Sequence, residues 1–85
     1  MATYKVLYWQ EVPSQVKCED ESDDVTLEMP PKFMAYIDRL AMQRGLAAAD
    51  DFLEQWRWSE EEEREGSAQD VAEALVAELE AQAGI

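Results

Sequence analysis

The sequence predicts an α+β fold, a two-layer sandwich in which a small sheet of about four strands, antiparallel or mixed, carries two helices on one face. Three observations support this prediction. Residues 1–30 contain strand-length runs with two-residue alternation, residues 31–44 and 68–82 repeat apolar side chains at helical spacing, and residues 52–59 form another β-favouring run. The elements therefore follow the order βββαβα, and residues 1–85 are expected to form a single small domain.

The first strand is predicted at residues 3–10, a run of β-favouring and apolar residues of ordinary strand length. Alternation gives this strand two faces that are both largely apolar, with Tyr4, Val6 and Tyr8 on one and Lys5, Leu7 and Trp9 on the other. Pro13 and Ser14 then predict an interruption of strand pairing and a connection to the next element.

A hairpin is predicted at residues 15–20 and 25–29. Apolar side chains alternate with polar ones along both strands, the apolar set being Val16, Cys18, Val25, Leu27 and Met29. The acidic stretch at 20–24 supplies the turn, because Asp and Ser favour turns. Each strand therefore has one face for the core and one for solvent.

The first helix is predicted at about residues 31–44. Proline at Pro30 and Pro31 suits the first helical turn, and Gly45 suits the left-handed position that follows a helix. Between them one helical face is marked by Phe33, Ile37, Leu40, Ala41 and Arg44.

The stretch from residue 46 to residue 65 gives weaker signals. Residues 52–59 are interpreted as a strand with Phe52, Trp56 and Trp58 on one face, although Phe52 and Trp56 also have the i, i+4 spacing of a helix. Residues 59–65 are expected to form a solvated connection or a single helical turn begun by Ser59-x-x-Glu62.

The last helix is predicted at about residues 68–82. Ser67 is a good N-cap, and Asp70 lies favourably near the positive end of the helix dipole. The apolar face of this helix comprises Ala68, Val71, Ala72, Leu75, Leu79 and Ala83.

The charge of the chain limits its partners. Twenty acidic residues against seven basic ones give a formal net charge of −13. This charge disfavours nucleic acid and anionic membrane surfaces as partners, because both attract positive charge. No stretch approaches the roughly 18 consecutive apolar residues of a membrane helix, and no apolar leader resembling a signal peptide is apparent.

No catalytic or cofactor site is predicted. The chain has no histidine, which is the commonest general base and metal ligand, and the acidic runs lack the oxygen spacing of an EF-hand loop. Its only cysteine, Cys18, cannot form an intrachain disulfide and is expected to be a small buried hydrophobic residue. A single cysteine fits a reducing cytoplasm, so a cytoplasmic location is expected.

A contact surface is predicted on the sheet face that two helices leave uncovered. Aromatic and apolar side chains would form an exposed patch there, and such patches usually mark protein contacts. The residues expected to contribute are Tyr4, Leu7, Tyr8, Trp9, Trp56 and Trp58. In the competing interpretation these side chains pack under residues 10–15 and 46–51 and leave nothing exposed.

Four stretches together resemble a known family. They are residues 4–16 (YKVLYWQEVPSQV), 33–45, 52–59 (FLEQWRWS) and 66–68. The chain resembles the small bacterial domain family called virulence factor, which is related to a domain of the larger conserved virulence factor C. The resemblance implies a bacterial intracellular protein, brings no catalytic residue with it, and favours an interaction module because the related domain accompanies helical repeats.

Three functions follow as hypotheses. The first is a non-catalytic protein-interaction or accessory domain, self-associating or binding another chain through its sheet-face aromatics. The second is a small-ligand-binding or enzyme-subunit domain whose site a partner chain completes. The third is an acidic mimic of nucleic acid, which the two compact acidic clusters at 19–24 and 60–65 argue against.

Overall fold

The fold contains an antiparallel sheet and three helices. It was analysed as a computed structural model that describes residues 1–85. The elements are β1 (Ala2–Trp9), β2 (Val12–Glu19), β3 (Asp24–Glu28), α1 (Pro31–Gln43), α2 (Ala49–Leu53), β4 (Trp56–Trp58), β5 (Glu62–Arg64) and α3 (Ala68–Ala83). The α+β class is confirmed, whereas the predicted order βββαβα lacked α2 and β5. No helix combines the length and the apolar character needed to cross a membrane.

The sheet has the strand order β3-β2-β1-β4, and β5 also pairs with β1. Leu7 lies opposite Trp58, and Tyr4 lies opposite Glu62. Between these two pairs, the three residues 59–61 run beside only two residues of β1, Lys5 and Val6. Residues 56–64 therefore form one edge of the sheet, interrupted by a bulge. The expectation of a solvated connection or helical turn at 59–65 was wrong for Glu62–Arg64, because the edge of β1 offers these residues backbone partners, whereas residues 60, 61 and 65 are exposed and lie outside any helix or strand.

The β1–β2 hairpin turns at Gln10 and Glu11, earlier than predicted. Pro13 and Ser14 lie inside β2, where the pairing register shifts by one residue and leaves Ser14 as the extra residue. The predicted interruption at this point was wrong because a bulge accommodates both residues. The pairing of β2 with β3 ends at Gln15. Pro13 therefore lies where β2 pairs with β1 alone, and its missing N–H costs no hydrogen bond to β3.

The first hydrophobic cluster joins α3 to one face of the sheet. Its buried members are Ala2, Val6, Val16, Cys18, Ala68, Val71, Ala72 and Leu75. This packing confirms the predicted face of α3 from Ala68 to Leu79, whereas Ala83 is exposed. It also confirms the predicted alternation of the hairpin, whose Met29 packs in the second cluster. The N-terminus of α3 has two side-chain acceptors, since Ser67 Oγ accepts from the Asp70 amide at 3.1 Å and Asp20 Oδ2 accepts from the Ala68 amide at 2.7 Å.

The second cluster joins α1 to the end of the β1–β2 hairpin. Its buried members are Trp9, Val12, Met29, Phe33, Ile37, Leu40 and Ala41. The predicted helix and its apolar face are confirmed, and Gly45 has the expected left-handed conformation with φ of +71°. Val76 and Leu79 of α3 contact both clusters, and Lys32 of α1 pairs with Glu80 of α3 at 2.8 Å.

The segment 49–58 divides between the two interpretations of the sequence. Phe52 belongs to the short helix α2, as its i, i+4 spacing allowed, and only Trp56–Trp58 forms a strand. The Phe52 ring lies 5.3 Å from the Trp9 ring and 5.9 Å from the Trp56 ring. α2 therefore covers Trp9 at the end of β1.

Candidate contact surfaces

The six residues predicted to form one contact patch lie in three different places. Trp9 is 0% exposed, and its Nε1 donates to the Phe52 carbonyl at 3.0 Å. Trp56 is half-buried against the same cluster. Of the remaining four, Leu7 and Trp58 share one face of the sheet, and Tyr4 and Tyr8 share the other. For Trp9 the competing interpretation, packing beneath neighbouring segments, describes the structure.

The first surface, which we term the outer face, is the side of the sheet opposite α3. Lys5 and Leu7 of β1 point to this face, because they alternate with the side chains of β1 that pack in the first cluster. Their partners across the strands, Lys17, Gln15 and Trp58, lie on the same face. Trp58 is 43% exposed, and Lys5 Nζ lies 4.8 Å from the centre of its ring. This face therefore presents a partly exposed indole beside Leu7.

The outer face carries both charges: Lys5 and Lys17 lie at its centre, and the register places Glu19, Asp24, Glu28 and Glu63 around them on the same face. Lys5 and Lys17 lie directly opposite each other on β1 and β2, an arrangement that is unfavourable for like charges. Neither lysine makes an ion pair, whereas Lys32, Arg44 and Arg64 each have a carboxylate partner. The two ammonium groups are thus available to an external carboxylate.

The second surface, which we term the tyrosine groove, lies between α3 and the β4–β5 edge. α3 packs mainly over β2 and β3, so the same side of the sheet is left open near β4 and β5. The floor comes from β1, one wall from α3 and the other wall from the bulged edge. The groove has a volume of about 420 Å³, and its main lining residues are Tyr4, Val6, Tyr8, Glu60, Glu62, Arg64, Glu78 and Leu79.

Tyr8 is the centre of this surface. Two smaller hollows adjoin it, one of about 210 Å³ toward Pro13 and one of about 280 Å³ toward Arg57 and Trp58. The Tyr8 side chain is half-buried, so part of its ring faces the three hollows.

The bulge between β4 and β5 determines which side chains enter the groove. Ser59 replaces a regular ladder partner, since its Oγ accepts from the Val6 amide at 2.8 Å and its amide donates to the Val6 carbonyl at 2.8 Å. The extra residue reverses the alternation, so that Glu62 and Arg64 share the face of Tyr4 although Trp58 points to the outer face. Without it the side chains of Glu62 and Arg64 would lie on the outer face.

Two charge-assisted contacts organise the groove. The Tyr4 hydroxyl donates to Glu62 Oε2 at 2.7 Å, and this bond, followed by partial desolvation, raises the pKa of Tyr4. Arg64 donates to both carboxylate oxygens of Glu78 at 3.1 and 2.5 Å, which lowers the pKa of Glu78. The fork between Arg64 and Glu78 neutralises both charges.

The β1–β2 turn is held by a polar network. Gln10 adopts φ of +53°, which is unusual for a residue other than glycine. Its amide donates to the Gln55 carbonyl at 3.1 Å, its side chain bonds the Gln55 side chain at 3.0 Å, and Arg44 donates to it and to Glu11. The turn is thereby tied to the end of α1 and to the residues before β4.

The chemistry of the site favours binding. Cys18 is 0% exposed in the first cluster, and burial raises the pKa of its thiol, so it does not face either surface as a nucleophile. No group of three or more His, Cys, Asp or Glu side chains converges as metal ligands would. The two surfaces instead offer aromatic rings, two free ammonium groups and carboxylates.

Sequence reasoning missed the wall of the groove formed by Glu60, Glu62 and Arg64. Glutamate disfavours strands, and the Ser59-x-x-Glu62 spacing is typical of a helix start, so no local pattern predicts β5. The available signal was indirect, because apolar side chains on both faces are typical of a central strand, and a central strand has pairing partners along both of its edges.

Comparisons with known proteins give one match. A family model described as Virulence factor matches residues 7–83, nearly the whole chain, which confirms the resemblance seen in the sequence. No curated protein matches the chain, and no solved structure does.

Proposed function

The chain belongs to the virulence factor family, and from this premise we propose that it is a non-catalytic protein-interaction module that binds a partner protein through its outer face. The observation that supports the proposal is Trp58, which is 43% exposed beside Leu7 on the outer face, beyond the end of that face where α1 and α2 cover Trp9. Tryptophan gives a large contact area at low entropy cost and is enriched among residues that dominate binding energy.

The charges of the outer face indicate the chemistry of the partner. Burying Trp58 and Leu7 requires apolar side chains, and the opposed lysines Lys5 and Lys17 would each gain a carboxylate partner. A second copy of the chain would bring another net charge of −13, so the long-range field opposes self-association. A different protein chain is therefore the favoured partner.

Affinity capture with matched variants tests this proposal. The tagged wild type, Trp58→Ala and Leu53→Ala are compared by mass spectrometry in lysate of the source organism, since Leu53 is an equally apolar exposed side chain (64%) on α2. We expect a defined protein with wild type and Leu53→Ala that is lost with Trp58→Ala, and direct binding of that purified protein. Identical recovery with both variants would contradict a role for the outer face.

The tyrosine groove favours the second candidate, a ligand-binding or subunit domain whose site a partner chain completes. The groove is a half-open depression with polar side chains converging on it, and exposed Glu60 is among its lining residues. A partner chain that covered its open side would enclose a ligand. Ligand-induced shifts of the Tyr4 and Tyr8 amide resonances only in the presence of the partner would support this candidate.

Two further properties belong to the same proposal. Both hydrophobic clusters share Val76 and Leu79, which supports one continuous core and hence one domain at residues 1–85. The single buried thiol of Cys18 is compatible with the expected cytoplasmic location.

A further inference from the structure

We propose that the tyrosine groove binds the guanidinium group of an arginine side chain carried by a partner protein. This inference rests on the proposed role as an interaction module. It concerns the α3 side of the sheet, whereas Trp58 points to the outer face. Three features support it: the shape of the groove, the aromatic rings on its floor and the balance of charge on its walls.

The shape of the groove suits a long side chain with a polar end. Half-buried Leu79 provides apolar surface on the α3 wall, against which the methylene groups of an arginine can pack, while Val6 and Leu75 are buried beneath the groove. Tyr8 lies where the groove meets two neighbouring hollows and leaves part of its ring accessible. A guanidinium group stacks on such a ring face through cation–π attraction.

The walls of the groove carry an excess of negative charge. Arg64 and Glu78 cancel each other in their bidentate pair. Glu60 and Glu62 have no cationic partner, because the chain's three ion pairs involve other carboxylates. Exposed Arg57 lies directly opposite Tyr8 on the same face and makes no ion pair, so one positive charge offsets one of the two carboxylates and leaves a local excess of one negative charge. A cation entering the groove is therefore attracted locally and also by the net charge of −13.

The geometry favours arginine over lysine. Glu62 Oε2 already accepts from the Tyr4 hydroxyl, which fixes the carboxylate and leaves its second oxygen without a partner. A planar guanidinium whose face lies on the Tyr8 ring can donate to Glu60, which lines the same hollow, while Glu62, opposite Tyr4 and four residues along β1, adds attraction at longer range. An ammonium group provides a point charge without a stacking face.

The test is a titration of the ¹⁵N-labelled full chain with the blocked peptide acetyl-Gly-Arg-Gly-amide at low ionic strength. The matched probe contains citrulline, which has nearly the same shape but no charge. We expect the arginine peptide to shift the amides of Tyr4, Tyr8 and residues 59–64 saturably, and the citrulline peptide not to do so. Equal binding of both peptides would overturn the inference.

Two double variants with the same change in net charge separate the groove from the general field of the chain. Glu60→Gln with Glu62→Gln should weaken peptide binding by roughly fivefold or more, the size of a lost charge-assisted contact. Glu19→Gln with Glu21→Gln, at the exposed end of the β2–β3 hairpin, should change it by less than about twofold because these charges are distant and screened. Equal weakening by both would overturn the inference.

A third variant, Tyr8→Leu, removes the ring and keeps the carboxylates. We expect it to weaken binding of the arginine peptide while the rest of the amide spectrum shows an intact fold. Unchanged binding would show that the ring takes no part and would also overturn the inference. A negative titration refutes the groove alone, whereas partner capture that Trp58→Ala leaves unchanged refutes the outer face alone.

Discussion

Replacement of Trp9 by phenylalanine tests whether this tryptophan belongs to the core or to a contact surface. Trp9 is 0% exposed, whereas Trp58 on the neighbouring strand is 43% exposed. The same substitution at both positions therefore compares a buried tryptophan with a partly exposed one. Phenylalanine is chosen over alanine because a buried tryptophan-to-alanine change costs about 3–5 kcal/mol. A chain of this length has a total stability of only roughly 4–13 kcal/mol.

The expected magnitude follows from two losses at Trp9. The indole N–H no longer donates to the Phe52 carbonyl, which keeps only a longer bond from the Gln55 amide at 3.3 Å; this loss costs about 1 kcal/mol. The smaller ring also leaves a cavity among Phe52 and the α1 side chains, which costs about another 1–2 kcal/mol. A total of about 2–3 kcal/mol lowers the Tm of a small domain by roughly 10–20 °C.

The assay is thermal unfolding of wild type, Trp9→Phe and Trp58→Phe followed by far-ultraviolet circular dichroism, because each substitution alters the fluorescence. Trp58→Phe keeps an aromatic ring beneath Lys5 and should change the free energy of unfolding by less than about 0.5 kcal/mol. Equal Tm values for the two variants would refute the assignment of Trp9 to the core.

Three further predictions concern single positions. The pKa of Asp20 lies below its ordinary value because it accepts hydrogen bonds from backbone amides, chiefly that of Ala68; its stabilising effect should therefore be complete above about pH 4 and disappear as the pH falls through the lowered pKa. Asp20→Asn should lose this part of the pH dependence in urea unfolding, and identical pH profiles would contradict the cap. Cys18 should react with a thiol reagent only through opening of the fold, because it is buried with a raised pKa; labelling in native buffer as fast as in urea would contradict this. Gly66→Ala should lower Tm, since φ is +121° and an added Cβ would lie 3.4 Å from Val71; an unchanged Tm would show that the loop relaxes freely.

Much of the fold could be predicted because its main elements are locally encoded. Helices α1 and α3 carry apolar side chains at helical spacing between a proline or serine start and a glycine end, and each such signal acts within a few residues. The β2–β3 hairpin alternates in the same local way. The bounds of both helices and of β3 were identified within one residue, whereas β2 begins three residues earlier than predicted.

The candidate site could be predicted only in part. Alternation along β1 correctly separated Leu7 from Tyr4 and Tyr8, because side-chain direction in a strand has a period of two. It could not show that α2 and α1 cover Trp9 while leaving Tyr8 accessible. Exposure depends on which distant segments pack over a strand, and that information is absent from the strand itself.

The sequence by itself determined the α+β class, the positions of the two long helices, the burial of Cys18 and the acidic field, since each depends on composition or short-range spacing. Only the tertiary structure decided the strand at Glu62–Arg64, the two bulges and the walls of the tyrosine groove. The physical reason is that an edge strand of weak β propensity forms because β1 supplies its backbone partners. A single extra residue in a bulge then reverses which side chains face the groove, and pairing across the sheet alone fixes that choice.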